Sequence, residues 1–293
     1  MTATEDRNPR TTDIDRWPTG RVVDALLAED AVAIEAARSA APALAKAVDL
    51  ALARTAAGGC VHYFGAGASG RLAVLDATEA TPTFGAPPGL FTPHFPGGAA
   101  AFADSALDHE DAEDAGYEEA AVVRDRDVVL GITASGSTRY VAGALTRARE
   151  AGALTVLVTS NRHAPLTADL LVVADTGAEA VTGSTRLKAG TATKALLNAF
   201  STALMIRSGR TYSNLMVNLV ATNDKLAARA VRIIEMAAGL APPESAEALA
   251  RCGGDLPLAL VHVLSGRAVE DCRTALRGGG VRAALDALGD DAC

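Results

Sequence analysis

Cysteine is scarce and badly spaced for metal or disulfide chemistry. The four present, Cys60, Cys252, Cys272 and Cys293, match no C-x-x-C or zinc-ribbon pattern, so they read as reduced structural thiols in a chain that needs no disulfide framework. The five histidines are scattered, without H-E-x-x-H or a neighbouring His-Cys pair, and no metal site is expected. His62 lies inside an apolar run and reads as packing; His109, beside Glu110, is the histidine placed near candidate chemistry. Basic residues are outnumbered, 27 against 35 acidic, for a net charge of −8. That balance argues against nucleic acid or an anionic membrane as partner, and an anionic small molecule would need a local site. Long apolar runs are missing too. The longest uncharged stretch, Ala80 to Ala103, holds five prolines and four glycines that forbid a spanning helix, and the first residues lack the apolar core of a signal peptide. The expected location is the cytoplasm. No G-x-x-x-x-G-K-[ST] run occurs, which argues against phosphoryl transfer from a nucleotide.

What is present is a globular chain, 49% hydrophobic and 21% charged over 293 residues, enough for one large domain or two modest ones. Residues 1–18 lack an apolar period, and 11–15 read either as part of a solvated arm or as a clasp on something downstream. From Arg21 to about Ala57, residues such as Val23, Leu26, Leu27, Leu44, Val48 and Leu52 are spaced for two amphipathic helices. After Gly58-Gly59 the rhythm alternates, with apolar strands at 60–64, 127–133, 154–158 and 170–173 and helices over 138–151 and 184–208. Such alternation predicts a parallel sheet covered on both faces, with ligands at the carboxyl ends of the strands. Beyond Asn223 only helical periods remain. The predicted fold is a three-layer α/β/α sandwich with a mainly parallel sheet. Its expected parts are an N-terminal arm and helices packing on the core (1–57), the ligand-binding α/β domain (58–225) and a small all-helical appendage (226–293).

Three loops are suited to an anion. Gly65-Ala-Gly67-Ala-Ser69-Gly70-Arg71 joins a strand to a helix and satisfies G-x-G-x-x-G. The acidic residue that a dinucleotide site wants about 20 residues further on is missing from Leu90-Phe-Thr-Pro-His-Phe95. What remains are small residues that admit backbone N–H groups, the Ser69 hydroxyl and a helix N-terminus that favours negative charge. Thr133-Ala-Ser135-Gly136-Ser137-Thr138 opens a second helix and Thr182-Gly183-Ser184-Thr185 a third. One or two hydroxyls suffice to cap a helix, so three clusters at converging strand ends point to a neutral, hydroxyl-lined pocket for a phosphate monoester. Lys188, Lys194 and Arg71 either tune that pocket or lie on the surface. With the phosphate as a handle, proton transfer at the reacting end falls to carboxylates, and Glu79, Glu110 and Glu179 are the candidates.

The motifs also resemble a known family. Gly65-Ala-Gly-Ala-Ser-Gly-Arg-Leu, Val74-Leu-Asp-Ala-Thr-Glu-Ala-Thr-Pro-Thr-Phe-Gly85, Val181-Thr-Gly-Ser-Thr-Arg-Leu-Lys-Ala-Gly-Thr-Ala-Thr-Lys194, Asn214-Leu-Met-Val-Asn218 and Ala221-Thr-Asn-Asp-Lys-Leu226 are similar to the N-acetylmuramic acid 6-phosphate etherases. These belong to the sugar-isomerase (SIS) domain superfamily, and the likeness runs from about residue 4 to 232. It implies a cytoplasmic lyase of cell-wall amino-sugar recycling that eliminates D-lactate from N-acetylmuramate 6-phosphate and adds water to the enal, without a cofactor. It further implies Glu79 as proton donor to the leaving lactate and Glu110 as the acid-base residue at C2. Ser69, Ser135, Ser137 and Ser184 would hold the 6-phosphate, with Gly67, Gly70, Gly136, Thr138 and Lys188 completing the loops and Glu179 in reserve as a third acid. Burial beside Ala80 and Phe84 would raise the pKa of Glu79. The chain departs from the family pattern at Ala80-Thr81, around Leu107-Asp108-His109, and at Ser137 and Arg139, which would relocate a charge toward the phosphate or the lactate carboxylate.

A regular helix from Ser69 would carry Glu79 about 15 Å along its axis, too far from its own N-terminal loop for one small sugar phosphate. A homodimer with shared active sites is therefore expected. Two other readings stay open: a sugar-phosphate-sensing regulator, which would keep the loops and dispense with the acids, and an aldose-ketose isomerase working through Glu179 and a histidine.

Overall fold

The computed structural model describes residues 3–104, 109–218 and 224–290; Leu107, Asp108, Ala221, Thr222, Asn223 and Cys293, named in the patterns above, lie outside them. The chain forms two compact units, Met1–Thr78 with Gly89–Ser201, and Glu79–Pro88 with Thr202–Cys293.

In the first unit the short N-terminal arm leads into α1 (Thr19–Ser39) and α2 (Ala41–Ala56). Pro42, tolerated only in a first helical turn, marks where the second helix restarts. There follow β1 (Val61–Gly65), α3 (Gly67–Phe84), β2 (Phe91–His94), α4 (Gly98–Ala103), α5 (Glu113–Glu119), β3 (Val128–Ile132), α6 (Arg139–Glu150), β4 (Leu154–Thr159), β5 (Leu170–Val173) and α7 (Lys188–Arg207), with residues 79–84 of α3 and 202–207 of α7 counted to the second unit. The strands form one five-stranded sheet of order β2-β1-β3-β4-β5, parallel throughout. β1, β3 and β4 are buried at every position, as a sheet covered on both faces requires. β2 was not among the strands expected from apolar runs. It is a four-residue edge strand, the place where Pro93, which has no N–H for the ladder, is tolerated.

Successive residues of β1 face opposite ways. Phe64 packs with Val129, Leu157 and the Tyr140, Val141, Ala144 and Leu145 face of α6. Tyr63 stands edge-on to Phe200 of α7, ring centroids 6.5 Å apart. The Tyr63 hydroxyl donates to Asp76 of α3 at 3.0 Å, and Asp76 also accepts from Ser201 (3.0 Å) and Asn198 (3.2 Å) of α7. One buried carboxyl thus pins α3 and α7 to β1, and burial pushes its pKa up.

Because the chain steps outward from β1 to β2 and then returns to β3 on the other side, the order reverses between β1 and β3. The crevice outside their carboxyl ends is where open α/β sheets bind ligands. Both glycine-and-hydroxyl loops, 65–70 and 133–138, leave the sheet there.

The second unit is helical beyond α7: α8 (Asp224–Ala238), α9 (Pro242–Arg251), α10 (Leu256–Ser265), α11 (Val269–Leu276) and α12 (Val281–Asp290). Its core includes Ile233, Ile234, Leu258, Leu260, Val261 and Cys272. Among the described residues, Cys60, Cys252 and Cys272 are free thiols, and no helix is long and apolar enough to cross a membrane.

Candidate active site

The first loop is held tight by its last glycine. A Cβ at Gly70 would collide with the Gly65 carbonyl and the Phe95 ring, so α3 can begin this close to β1 only with glycine there. Ser69 is half-buried in the first turn of α3. In the second loop, Gly136 takes φ +72° and turns the chain so that Ser137 Oγ donates to Ser135 Oγ at 2.9 Å, while Thr133 and Thr138 share a 2.7 Å hydrogen bond. Asn161, just past β4, donates from Nδ2 to the Ser135 carbonyl at 2.8 Å. The Thr138 hydroxyl therefore does not cap α6.

The third loop is relieved of capping by an acid. Both oxygens of Glu179 accept backbone hydrogen bonds, from Lys188 N at 3.0 Å and Ala189 N at 2.9 Å. This cap sets the start of α7 at Lys188 rather than Ser184, and leaves the Ser184 and Thr185 hydroxyls without that task. Glu179 is 0% exposed, and burial pushes its pKa up. A carboxyl so enclosed is out of reach of a substrate, which removes the acid that the isomerase reading needs.

The N-terminal arm is a clasp. The Thr4 carbonyl accepts from Gly183 N at 3.0 Å, Thr11 Oγ1 donates to the Ala180 carbonyl at 2.8 Å, and Asn8 Nδ2 donates to the Ala178 carbonyl at 3.2 Å and to Glu29 at 3.0 Å. Thr4, Asn8 and Thr11 are buried. Beneath them Lys188 is 1% exposed, with Nζ 2.6 Å from Glu29 Oε2, and Arg10 Nε lies 2.5 Å from the other oxygen. Arg10 first, and Lys188 with it, hold the Glu29 carboxyl down at about 2 against the opposing effect of burial. Lys188 is thus neither a surface charge nor an idle cation; its ammonium is committed to Glu29.

Asp6 of the same arm joins Ser135, Ser137, Asn161, Arg162 and His163 around a cavity of about 550 Å³. Arg162 is paired with Asp175 at 2.5 Å. Ser135 and Ser137 are the residues expected from the sequence; Asp6, Asn161, Arg162 and His163 are not. A signal was available: Ser160-Asn-Arg-His163 is a polar run at the carboxyl end of a predicted strand, the position where parallel sheets bind ligands.

The two expected acids sit differently from Glu179. Glu110 is exposed, and its carbonyl accepts from Tyr140 N at 2.9 Å, which ties it to the start of α6 directly after the second loop. Glu79 is exposed on α3, whereas Ala80 is buried. The burial expected for Glu79 falls on its neighbour instead, because successive helical residues point about 100° apart. Glu79 and Glu110 belong to different compact units. Arg139 pairs with Glu113 at 3.2 Å, so the charge gained at that position is directed to α5. Arg71 donates to the Phe102 and Ala101 carbonyls at 2.9 and 3.1 Å, tying α3 to α4. His109 is exposed. His62 is buried, shares a 3.0 Å hydrogen bond with His94, and lies 3.5 Å from Asp127. No group of three or more potential metal ligands occurs among the described residues.

Comparison with known proteins fits this geometry. Residues 43–149 match the family described as the glucokinase regulatory protein N-terminal SIS domain. Over 265 residues the chain is 52% identical to an N-acetylmuramic acid 6-phosphate etherase of Thermobifida fusca, covering 89% of this chain and 87% of that one. The chain belongs to the N-acetylmuramic acid 6-phosphate etherase family. Etherases of the same name from Rubrobacter xylanophilus (45% identity, 96% of this chain and 95% of that one) and Deinococcus radiodurans (43%, 94% and 92%) extend the likeness nearly end to end. Family membership thus agrees with the motif resemblance, and the etherase match takes in the helical unit as well.

Proposed function

We propose that this chain is a carbon-oxygen lyase that cleaves the D-lactyl ether of N-acetylmuramate 6-phosphate, giving N-acetylglucosamine 6-phosphate and D-lactate. The near full-length identity to named etherases carries this reading. What the fold adds in support is that the loops carrying Ser69 and the hydrogen-bonded Ser135–Ser137 pair both leave the sheet at the carboxyl ends of β1 and β3, where its strand order reverses.

In the open-chain sugar the aldehyde makes the C2 proton acidic. Glu110, next to the second loop, takes that proton; the C2–H electrons form the C2=C3 bond, and the C3–O bond breaks as Glu79 protonates the departing lactate oxygen. Water then adds its oxygen to C3 and C2 regains a proton. The phosphate at C6 does not react and is held by Ser69, Ser135, Ser137 and Ser184.

Glu79 lies ten residues beyond Ser69 in one continuous helix, so the proposal includes a homodimer in which one subunit's Glu79 serves its neighbour's phosphate loops. Such an assembly would also supply the enclosure that the exposed Glu79 lacks in the single chain.

The test is direct: purified protein incubated with N-acetylmuramate 6-phosphate releases D-lactate and N-acetylglucosamine 6-phosphate in equal amounts. Binding without lactate release would contradict the lyase and favour a sensor. For the shared site, inactive Glu79→Gln subunits mixed with inactive Ser69→Ala subunits regain part of the activity, and a mixture as inactive as its parts would refute sharing.

A further inference from the structure

Among the described residues, a second cavity of the α/β unit carries charge of one sign. It has a volume of about 570 Å³, lies between the first turns of α3 and α7 with Ile34 of α1 at its edge, and is lined by Arg71, Arg186 and Lys194 together with Leu72 and Thr191. Ala68, next in the chain to Ser69, also lines it. No carboxylate is among its lining residues. Arg71 is fixed by the Phe102 and Ala101 carbonyls and lies 5.2 Å from the Phe95 ring centroid. Arg186 and Lys194 are exposed and make no hydrogen bond or ion pair among the described residues.

Two acids near the lining hold hydrogen bonds of their own, and one of them, Asp76, also interacts with Lys194 through charge. Asp30 accepts from Thr191 at 2.9 Å, and Asp76 is bound to Tyr63, Asn198 and Ser201. Gathering three cations on one wall is unfavourable by simple electrostatics, and here it occurs in a chain whose net charge is −8. The N-terminus of α3 adds positive potential at the same end.

We propose that this groove is the subsite for the lactyl carboxylate. The inference rests on the etherase reading above and goes further than it. N-acetylmuramate 6-phosphate has two anionic ends, a phosphate at C6 and a carboxylate on the arm at C3, and the hydroxyl loops account for the first alone. The groove is lined by Ala68, the chain neighbour of Ser69, and by Arg186, two residues past Ser184, so it borders two of the three loops assigned to the phosphate. A guanidinium offers a planar carboxylate two parallel N–H donors, which suits Arg186. Lys194 adds a compact second charge, and Leu72 and Ile34 give the lactyl methyl an apolar wall. The same cations would also favour negative charge building on the lactate oxygen as the C3–O bond breaks.

The experiment compares two sugar phosphates that differ only in the lactyl arm. Arg186→Gln and Lys194→Gln, both at exposed positions, keep the parental melting temperature. Each lowers kcat/KM for N-acetylmuramate 6-phosphate by roughly tenfold, and Arg186→Lys recovers part of the loss. The inhibition constant of N-acetylglucosamine 6-phosphate, which lacks the carboxylate, stays within about twofold of the parent. Equal losses for both ligands would assign the groove to the phosphate, and no loss for either would make it a bystander; both results overturn the proposal. Should the parent protein release no lactate, the etherase reading fails separately. Calorimetric affinities of the same two ligands then decide the subsite: tighter binding of the lactyl sugar that disappears in the double variant supports it, and equal binding refutes it.

Discussion

Glu29 and Glu179 are buried, whereas Glu79 and Glu110 are exposed, and the proposed mechanism gives the two pairs opposite uses. Glu179 accepts two backbone hydrogen bonds at the start of α7, and Glu29 is gripped by Arg10, Asn8 and Lys188. Each is fully engaged in architecture, and together they fix the third hydroxyl loop from below and from the N-terminal arm. The exposed pair stands where a substrate or a second subunit can reach it. In this chain burial marks the scaffold carboxylates, and on the proposed mechanism the two exposed acids acquire their enclosure only in the assembled, loaded site.

The comparison breaks most visibly in the rates. Glu79→Gln should lower lactate release by about 10²- to 10⁴-fold while substrate affinity stays within about tenfold, read from steady-state kinetics and calorimetry; a Glu79 variant that turns over normally would erase the distinction. The buried pair should fail differently. Glu29→Ala leaves Lys188 buried without its counter-charge and should cost roughly 3–5 kcal/mol, read from chemical denaturation. Replacing Glu29 and Lys188 together with methionine should recover much of that loss. Glu179→Ala removes a cap and should cost roughly 1–2 kcal/mol.

The pH dependence of stability sharpens the contrast further. Burial, with a contribution from His62, holds His94 down to about 4, against an unperturbed value of 6.5. Between those values the unfolded chain binds the extra proton, so stability should fall as pH drops from about 6.5 to 4. Glu29, held at about 2 against 4.5, should add a second loss as pH falls from about 4.5 toward 2. Melting temperatures across that range should show His94→Gln reducing the first phase, to which His62, also held down by burial, contributes, and leaving the second unchanged. The smallest expected effect belongs to the clasp: Thr11→Val should cost about 1 kcal/mol by denaturation.

The parts of the fold carried by local pattern were legible. Apolar runs located β1, β3, β4 and β5, and glycine with serine at their carboxyl ends located two of the loops. The parts carried by distant partners were not. Thr11 and Ala180 are 169 residues apart, and Lys188 meets Glu29 across 159, so nothing beside either residue announces the contact. The start of α7 was misplaced because its cap comes from Glu179, nine residues ahead of Lys188, rather than from the nearer hydroxyls. β2 escaped notice because a short edge strand with a proline has no apolar signature. Asp6 enters the cavity only because the arm folds back.

The division of labour proposed for the exposed acids can be read in one experiment in heavy water. Glu79→Gln protein is incubated with N-acetylmuramate 6-phosphate, and deuterium at C2 of the remaining substrate is followed by NMR alongside lactate release. The account predicts that C2 exchange continues while lactate release is nearly abolished, and that Glu110→Gln loses both. Normal lactate release from Glu79→Gln, or exchange that persists without Glu110, would contradict it.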